Sequence, residues 1–248
     1  MAAEGPAELP EDGLFNELRL ANFRGALIRN IVSLRVSEYL FDDLSDRPQD
    51  WKLAQQVEDA VKPQPYQSAQ PVIDRPFEEA VWFHAVGFPF NTWSGSRYSD
   101  GSFGVWYGSD TVETGVWESA WHWYFGFLAD AGFQQEGVSC ERKLYQVDCR
   151  AALLDFRGLC RRYPALVHPG DYSFTQAVGQ RIHREGHPGL VTQSVRFPQG
   201  ECFGIFNPAV LSRPRQHGAL SYRVQGGQIE VEARKGEILY SLPLAELA

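Results

Sequence analysis

The chain has 248 residues, 44% of them hydrophobic and 22% charged, with a formal net charge of −8. That composition excludes a largely disordered chain, and the length allows one large domain, or a domain with an extension, to bury a core without disulfides. No stretch approaches the ~18 uninterrupted apolar residues of a membrane span, and the acidic balance without a Lys/Arg cluster argues against nucleic acid as a partner.

The N-terminus carries Glu4, Glu8, Glu11 and Asp12 and lacks the basic-then-apolar pattern of a secretory leader. Cys140, Cys149, Cys160 and Cys202 form no CxxC pair, so reduced thiols in a cytoplasmic protein are expected. From Leu14 to about Leu44 the apolar residues Phe15, Leu18, Leu20, Phe23, Leu27, Ile28, Ile31, Leu34, Val36 and Leu40 include repeated pairs three and four apart with polar residues between, which predicts a helix. A second short helix is expected over Trp51–Val61. A stretch with four prolines from Pro63 to Pro76 follows and reads as a linker or strap. Residues 1–75 are thus expected to be a helical extension and linker, and residues 76–248 the main domain.

Beyond Pro76 the pattern mixes strands and helices. Strands are expected over Val81–Val86, Phe103–Gly108, Leu144–Asp148, Leu153–Phe156, Leu190–Val195 and Cys202–Phe206. Helices are expected over Asp110–Ala129, with Asp110 as N-cap and Glu113 at the capping-box position, and over Asp171–Glu185, stopped by Gly186. Ala219–Val224 and Ile229–Ala233 flank Gly226-Gly227 as a hairpin. Short strands irregularly interleaved with helices predict an α+β fold.

Asn91–Ala129 is the chemically unusual segment: 11 of its 39 residues are aromatic, and Arg97 is the one Lys or Arg in it. Between Gly95 and Gly101, Arg97 suits a bidentate clamp on phosphate or carboxylate; a structural pairing with Asp100 or a backbone carbonyl is the alternative. Glu118 shares a helix stripe with Thr114 and His122, which faces either solvent or a cleft. Tyr98 and Tyr107 suit stacking on a planar base, or are half-buried strand aromatics. Ser194 has a hydroxyl suited to a ligand hydrogen bond. His183 and His187 are four apart, but Gly186 and Pro188 end the helix there, and no metal site is expected. No GxGxxG follows a strand, so a Rossmann site is not supported.

The run SGSRYSDGSFGVWYGSDTVETGVWESAWHW resembles the signature of the RES-domain family, named for its Arg, Glu and Ser. Arg97-Tyr98, Tyr107 and Glu118 occupy the signature places in order. DYSFTQAVGQRIHREGHPGLVTQSVRFPQGECFGIFNPAVL resembles the family's second half, with Ser194 and Arg196 as Ser-x-Arg. The resemblance spans roughly residues 78–212. Many family members also carry an arginine in the first strand; in VWFHAV the nearest polar candidate is His84.

The resemblance implies an ADP-ribosyltransferase-like split β-sheet with flanking helices that binds NAD in its cleft. It further implies a toxin that consumes NAD by phosphorolysis or hydrolysis, with inorganic phosphate as a possible co-substrate, and a small helical antitoxin as partner. The implied roles are Arg97 for phosphate, Tyr107 for positioning, Glu118 for the ribose and the transition-state charge, and Ser194 for a ligand hydrogen bond, with Tyr98, Arg196 and His84 as further NAD contacts. Two alternatives stand beside this: ADP-ribosyl transfer to a protein, and a silent binding module suggested by the missing first-strand arginine. The Leu14–Leu44 helix is expected to pack on the core, form a homodimer or dock an antitoxin.

Overall fold

The computed structural model describes residues 12–33 and 76–247. Its longest departure from the sequence pattern comes first. A short helix, α1 (Asp12–Glu17), leads directly into a 14-residue strand, β1 (Arg19–Val32), where the apolar spacing predicts helix. The reason is tertiary. All 14 residues of β1 pair antiparallel with one long partner, from Arg19 opposite Asp155 to Val32 opposite Arg142, and such a ladder outweighs a helical spacing. Asn22, Gly25 and Asn30 also weaken the helical alternative. The remainder of the expected 14–44 helix, the Trp51–Val61 helix and the proline-rich linker lie outside the described residues.

The second departure is Val81–Val86. This stretch is helical: α2 (Pro76–Trp82) passes through a π-helical stretch (Phe83–Gly87) into Phe88–Asn91. Glu78 and Glu79 in the first turn favour the helix end. Ala85 and Val86 are fully buried, and Trp106 Nε1 donates to Ala85 O at 2.7 Å, fixing the π turn against the sheet.

Further along, the chain gives β2 (Gly95–Ser96), β3 (Ser99–Asp100), β4 (Trp106–Ser109), α3 (Val112–Trp121), β5 (Ser139–Asp155), α4 (Ser173–Glu185), β6 (Gly189–Gln193), β7 (Glu201–Ile205), β8 (Leu211–Gln225), β9 (Gln228–Arg234), β10 (Glu237–Pro243) and α5 (Leu244–Leu247). The N-cap of α3 is Thr111, whose Oγ1 accepts from Thr114 N at 3.1 Å, while Asp110 Oδ1 accepts from Thr111 N. The helix continues as a π-helical stretch, His122–Leu128. β5 replaces two expected short strands, because β1 keeps it paired across the weakly apolar Cys149–Ala152 stretch. The hairpin β8–β9 turns at Gly226 and Gly227, with φ of 59° and 76°, the positive angles a tight I′ turn needs.

The strand order is β1-β4-β7-β6-β5-β8-β9-β10, and β1 also pairs with β5. Five strands (β1, β4, β7, β6, β5) therefore close into a ring, and β8 to β10 extend from β5 as an open wing. Only β5–β6 is parallel. α3 lays Val116 and Ala120 on Tyr222, Val224 and Val231 of the wing. α4 lays Val178 and Ile182 on Tyr98, Leu154 and Leu190. The molecule is thus an α+β fold with a large sheet and flanking helices. α3, the turn joining β2 and β3, and strands β1, β4 and β7 leave a gap between them.

Candidate active site

That gap is a cleft of about 580 Å³. Arg97, Tyr98, Tyr107 and Glu118 all line it, together with Arg29, Arg142, Trp121, His122 and Tyr172.

Glu118 projects from the middle of α3. Its Oε1 accepts from Ser194 Oγ at 2.6 Å, from Val195 N at 3.0 Å and from Arg196 N at 3.3 Å. The β6–β7 loop makes this possible: Ser194 N donates to Gly200 O, and Phe197 N donates to Ser194 Oγ, so the serine hydroxyl and two amides converge. Such a nest of donors holds a carboxylate in one rotamer. Every side-chain hydrogen bond of Glu118 among the described residues ends on Oε1. Cys202 Sγ also approaches that oxygen at 3.6 Å, and burial followed by the carboxylate charge pushes its thiol pKa well up, so Cys202 stays protonated. Ser194 is 2% exposed and spends its proton on Glu118. In this structure it positions the carboxylate.

Arg97 sits in the turn joining β2 and β3. Its Nη1 donates to His168 O at 2.8 Å and its guanidinium lies 4.4 Å from the Tyr172 ring centre. Asp100 accepts instead from Ser102 and Gln180. α4 grips the turn: Gln176 Nε2 donates to Ser96 O at 3.1 Å and Ser99 O at 3.3 Å. Gly179 lets the helix come this close, since a Cβ there would stand 1.9 Å from Tyr98 O. The Thr-Gln-Ala stretch of the sequence is therefore a clamp on the arginine turn.

Tyr107 OH lies 2.9 Å from Ser96 Oγ and accepts from Tyr98 N at 3.0 Å. Burial raises its pKa to about 12, so the phenol remains neutral. Tyr98 is 1% exposed and its ring packs in the core beside Phe156. The aromatic rings named above as stacking partners thus divide: Tyr107 borders the cleft as part of a hydrogen-bonded brace, while Tyr98 has no open face. Trp121 and Tyr172 border the cleft as well.

Arg196 is almost buried. Its guanidinium lies 3.5 Å from the Trp121 ring centre and donates to Pro169 O. Burial lowers its pKa, against a raising influence from Glu118. His84 is elsewhere. The helical course of residues 76–91 sets its ring against Phe83, at 5.4 Å, and outside the cleft lining, with Nδ1 buried and unbonded.

A strand outside the family-like segment also brings an arginine to the cleft. β1 carries Arg29 into the cleft, where Nη1 donates to Tyr107 O at 2.8 Å. Burial, then repulsion from Arg142, lowers its pKa to about 10. Arg142, on β5 opposite Val32, donates Nε to Asn30 Oδ1 at 2.9 Å and Nη2 to Asn30 O at 3.1 Å. Asn30 Nδ2 donates to Tyr222 OH, which lies 2.8 Å from Ser119 Oγ on α3. Sequence reasoning missed Arg29, Asn30, Arg142 and Tyr222. They come from strands far apart in the chain, and an Arg-Asn pair inside a misread helix gives no local sign of a cleft.

His183 stacks on Phe103 at 4.2 Å and His187 faces Glu185, so the two imidazoles do not converge. Among the described residues no group of three or more His, Cys, Asp or Glu is placed to hold a metal, and no helix is long and apolar enough to cross a membrane.

Residues 73–225 match the family model of the RES domain, and the chain belongs to that family. No curated protein matches the chain. Among solved structures, the M. tuberculosis MbcT-MbcA toxin–antitoxin complex contains a chain similar to this one. The two share 12% identity, with 82% of this chain and 86% of that chain covered and a TM-score of 0.42.

Proposed function

We propose that the protein consumes NAD by breaking the nicotinamide–ribose bond and passing ADP-ribose to phosphate or water. The observation that carries this reading is Glu118. Its carboxylate is held through one oxygen by a serine and two amides, at the edge of a cleft that Arg29, Arg97 and Arg142 also line. Loss of nicotinamide builds positive charge on the ribose, and a preorganised carboxylate stabilises that charge. Arginines that line the same cleft suit the pyrophosphate or an attacking phosphate. Trp121 and Tyr172 suit the flat rings at the two ends of the dinucleotide. A silent module was suggested by a missing first-strand arginine; the presence of Arg29 from β1 in the cleft supports the active reading over it.

In the cell this activity would make the protein a toxin, with a small helical antitoxin as the fitting partner. The test is incubation of the full chain with NAD, with and without millimolar phosphate, followed by chromatography. Release of nicotinamide is expected, and phosphate dependence of the second product separates phosphorolysis from hydrolysis. Intact NAD together with a mass gain of one ADP-ribose on added protein would favour the transferase reading instead.

A further inference from the structure

We propose that His122 is the catalytic base that takes the proton from an attacking water; this rests on the reading above. His122 stands one helical turn beyond Glu118, on the same face of the helix, at the point where α3 passes into its π-helical stretch. It lines the cleft. Its ring meets Trp121 edge-on at 5.1 Å, and no ring nitrogen hydrogen-bonds to a described residue. The two basic groups on this face are therefore unlike. Glu118 is held through Oε1 by Ser194 Oγ and two amides, whereas no ring nitrogen of the accessible imidazole is so held.

The surroundings keep it neutral. Glu118 faces it from its own helix, Arg97 from the β2–β3 turn, Arg142 from β5 and Arg196 from the β6–β7 loop. Desolvation by the cleft walls lowers its pKa first, the three arginines lower it further, and only Glu118 raises it. A histidine below its ordinary ~6.5 accepts a proton at neutral pH. The step balances as follows. A water proton passes to the imidazole, and the water oxygen bonds to ribose C1′. The bond from C1′ to the nicotinamide nitrogen breaks, its electron pair neutralises the pyridinium, and the imidazolium releases its proton to solvent. Phosphate as the dianion needs no such help, so His122 should matter for water and hardly for phosphate.

The experiment measures kcat and KM for nicotinamide release from NAD between pH 5 and pH 9 without phosphate, and at pH 8 with it. It uses the full chain, His122→Gln and His122→Ala. The wild-type hydrolytic kcat is expected to hold near neutrality and fall on acidification, along a limb centred below about 6.5. In His122→Gln that limb disappears and hydrolysis drops about 100-fold, with KM and phosphorolysis within a few-fold of wild type. A variant that keeps wild-type kcat and the acid limb overturns the proposal, as does one that loses both reactions together with a raised KM. The wild-type profile needs no variant: phosphorolysis with no hydrolysis at any pH, or hydrolysis with no acid limb, also overturns it. No nicotinamide with either acceptor overturns the parent reading and this proposal with it.

Discussion

Glu118 owes its position to groups 76 to 78 residues away in the chain. Ser194→Ala would remove its shortest bond and leave Phe197 N unpaired. A lost charged hydrogen bond with an orphaned donor costs about 1–3 kcal/mol. The expected result is a lower melting temperature and a kcat reduced about 10-fold, with KM little changed, because the carboxylate is freed and not removed. Arg29 gives the opposite kind of effect. Its folded pKa, about 10, is below the ordinary 12.5, so the unfolded chain binds the proton more tightly and burying the charge opposes folding across the neutral range. This cost is relieved only as pH rises through the folded value. An anion in the cleft offsets the same cost. Phosphate should therefore raise the melting temperature of the wild type and leave that of Arg29→Met unchanged; equal shifts in both would place the anion elsewhere. Arg97, Tyr107 and Glu118 were legible in the sequence because they sit within 22 residues of one another in a motif of fixed spacing. Arg29 and Arg142 were not, because only the β1–β5 register brings them together.

At the scale of elements, α4 acts as a clamp. Gly179→Ala would drive a methyl into Tyr98 O, and such overpacking costs typically 1–3 kcal/mol. A melting temperature lowered by several degrees is expected, with a raised KM for NAD because the turn bearing Arg97 moves. An unchanged melting curve would contradict the close approach. α4 itself was legible, since Gly186 adopts φ 74° just past its end as a helix-stopping glycine does. The β8–β9 hairpin was legible for the same local reason at Gly226-Gly227. β1 and residues 81–86 were not. In both, apolar residues recur in patterns that suit either helix or strand, and the choice was made by partners: β5 for the one, and the Trp106 side chain reaching Ala85 O for the other.

At the scale of the molecule, β1 closes the ring and brings Arg29 and Asn30 to the cleft, yet it precedes the segment 73–225 that carries the family signature. A chain beginning at residue 73 would expose the β5 edge from Arg142 to Asp155 and leave β4 paired with β7 alone, a state prone to edge association. Such a chain is expected to show lost cooperative melting and no NAD turnover; a folded, active truncation would contradict the role given to β1. The wing of β8 to β10 and the irregular sheet order follow from long-range pairing that local patterns do not encode, although the α+β class did follow from the mixed segments. The measurement that bears most directly on the central claim is nicotinamide release by Glu118→Gln beside wild type, with thermal melts to establish that both are folded. Wild type should release nicotinamide and Glu118→Gln about 100-fold less, at closely similar melting temperature. A folded Glu118→Gln with undiminished turnover, or a folded wild type that leaves NAD intact, would contradict the assignment.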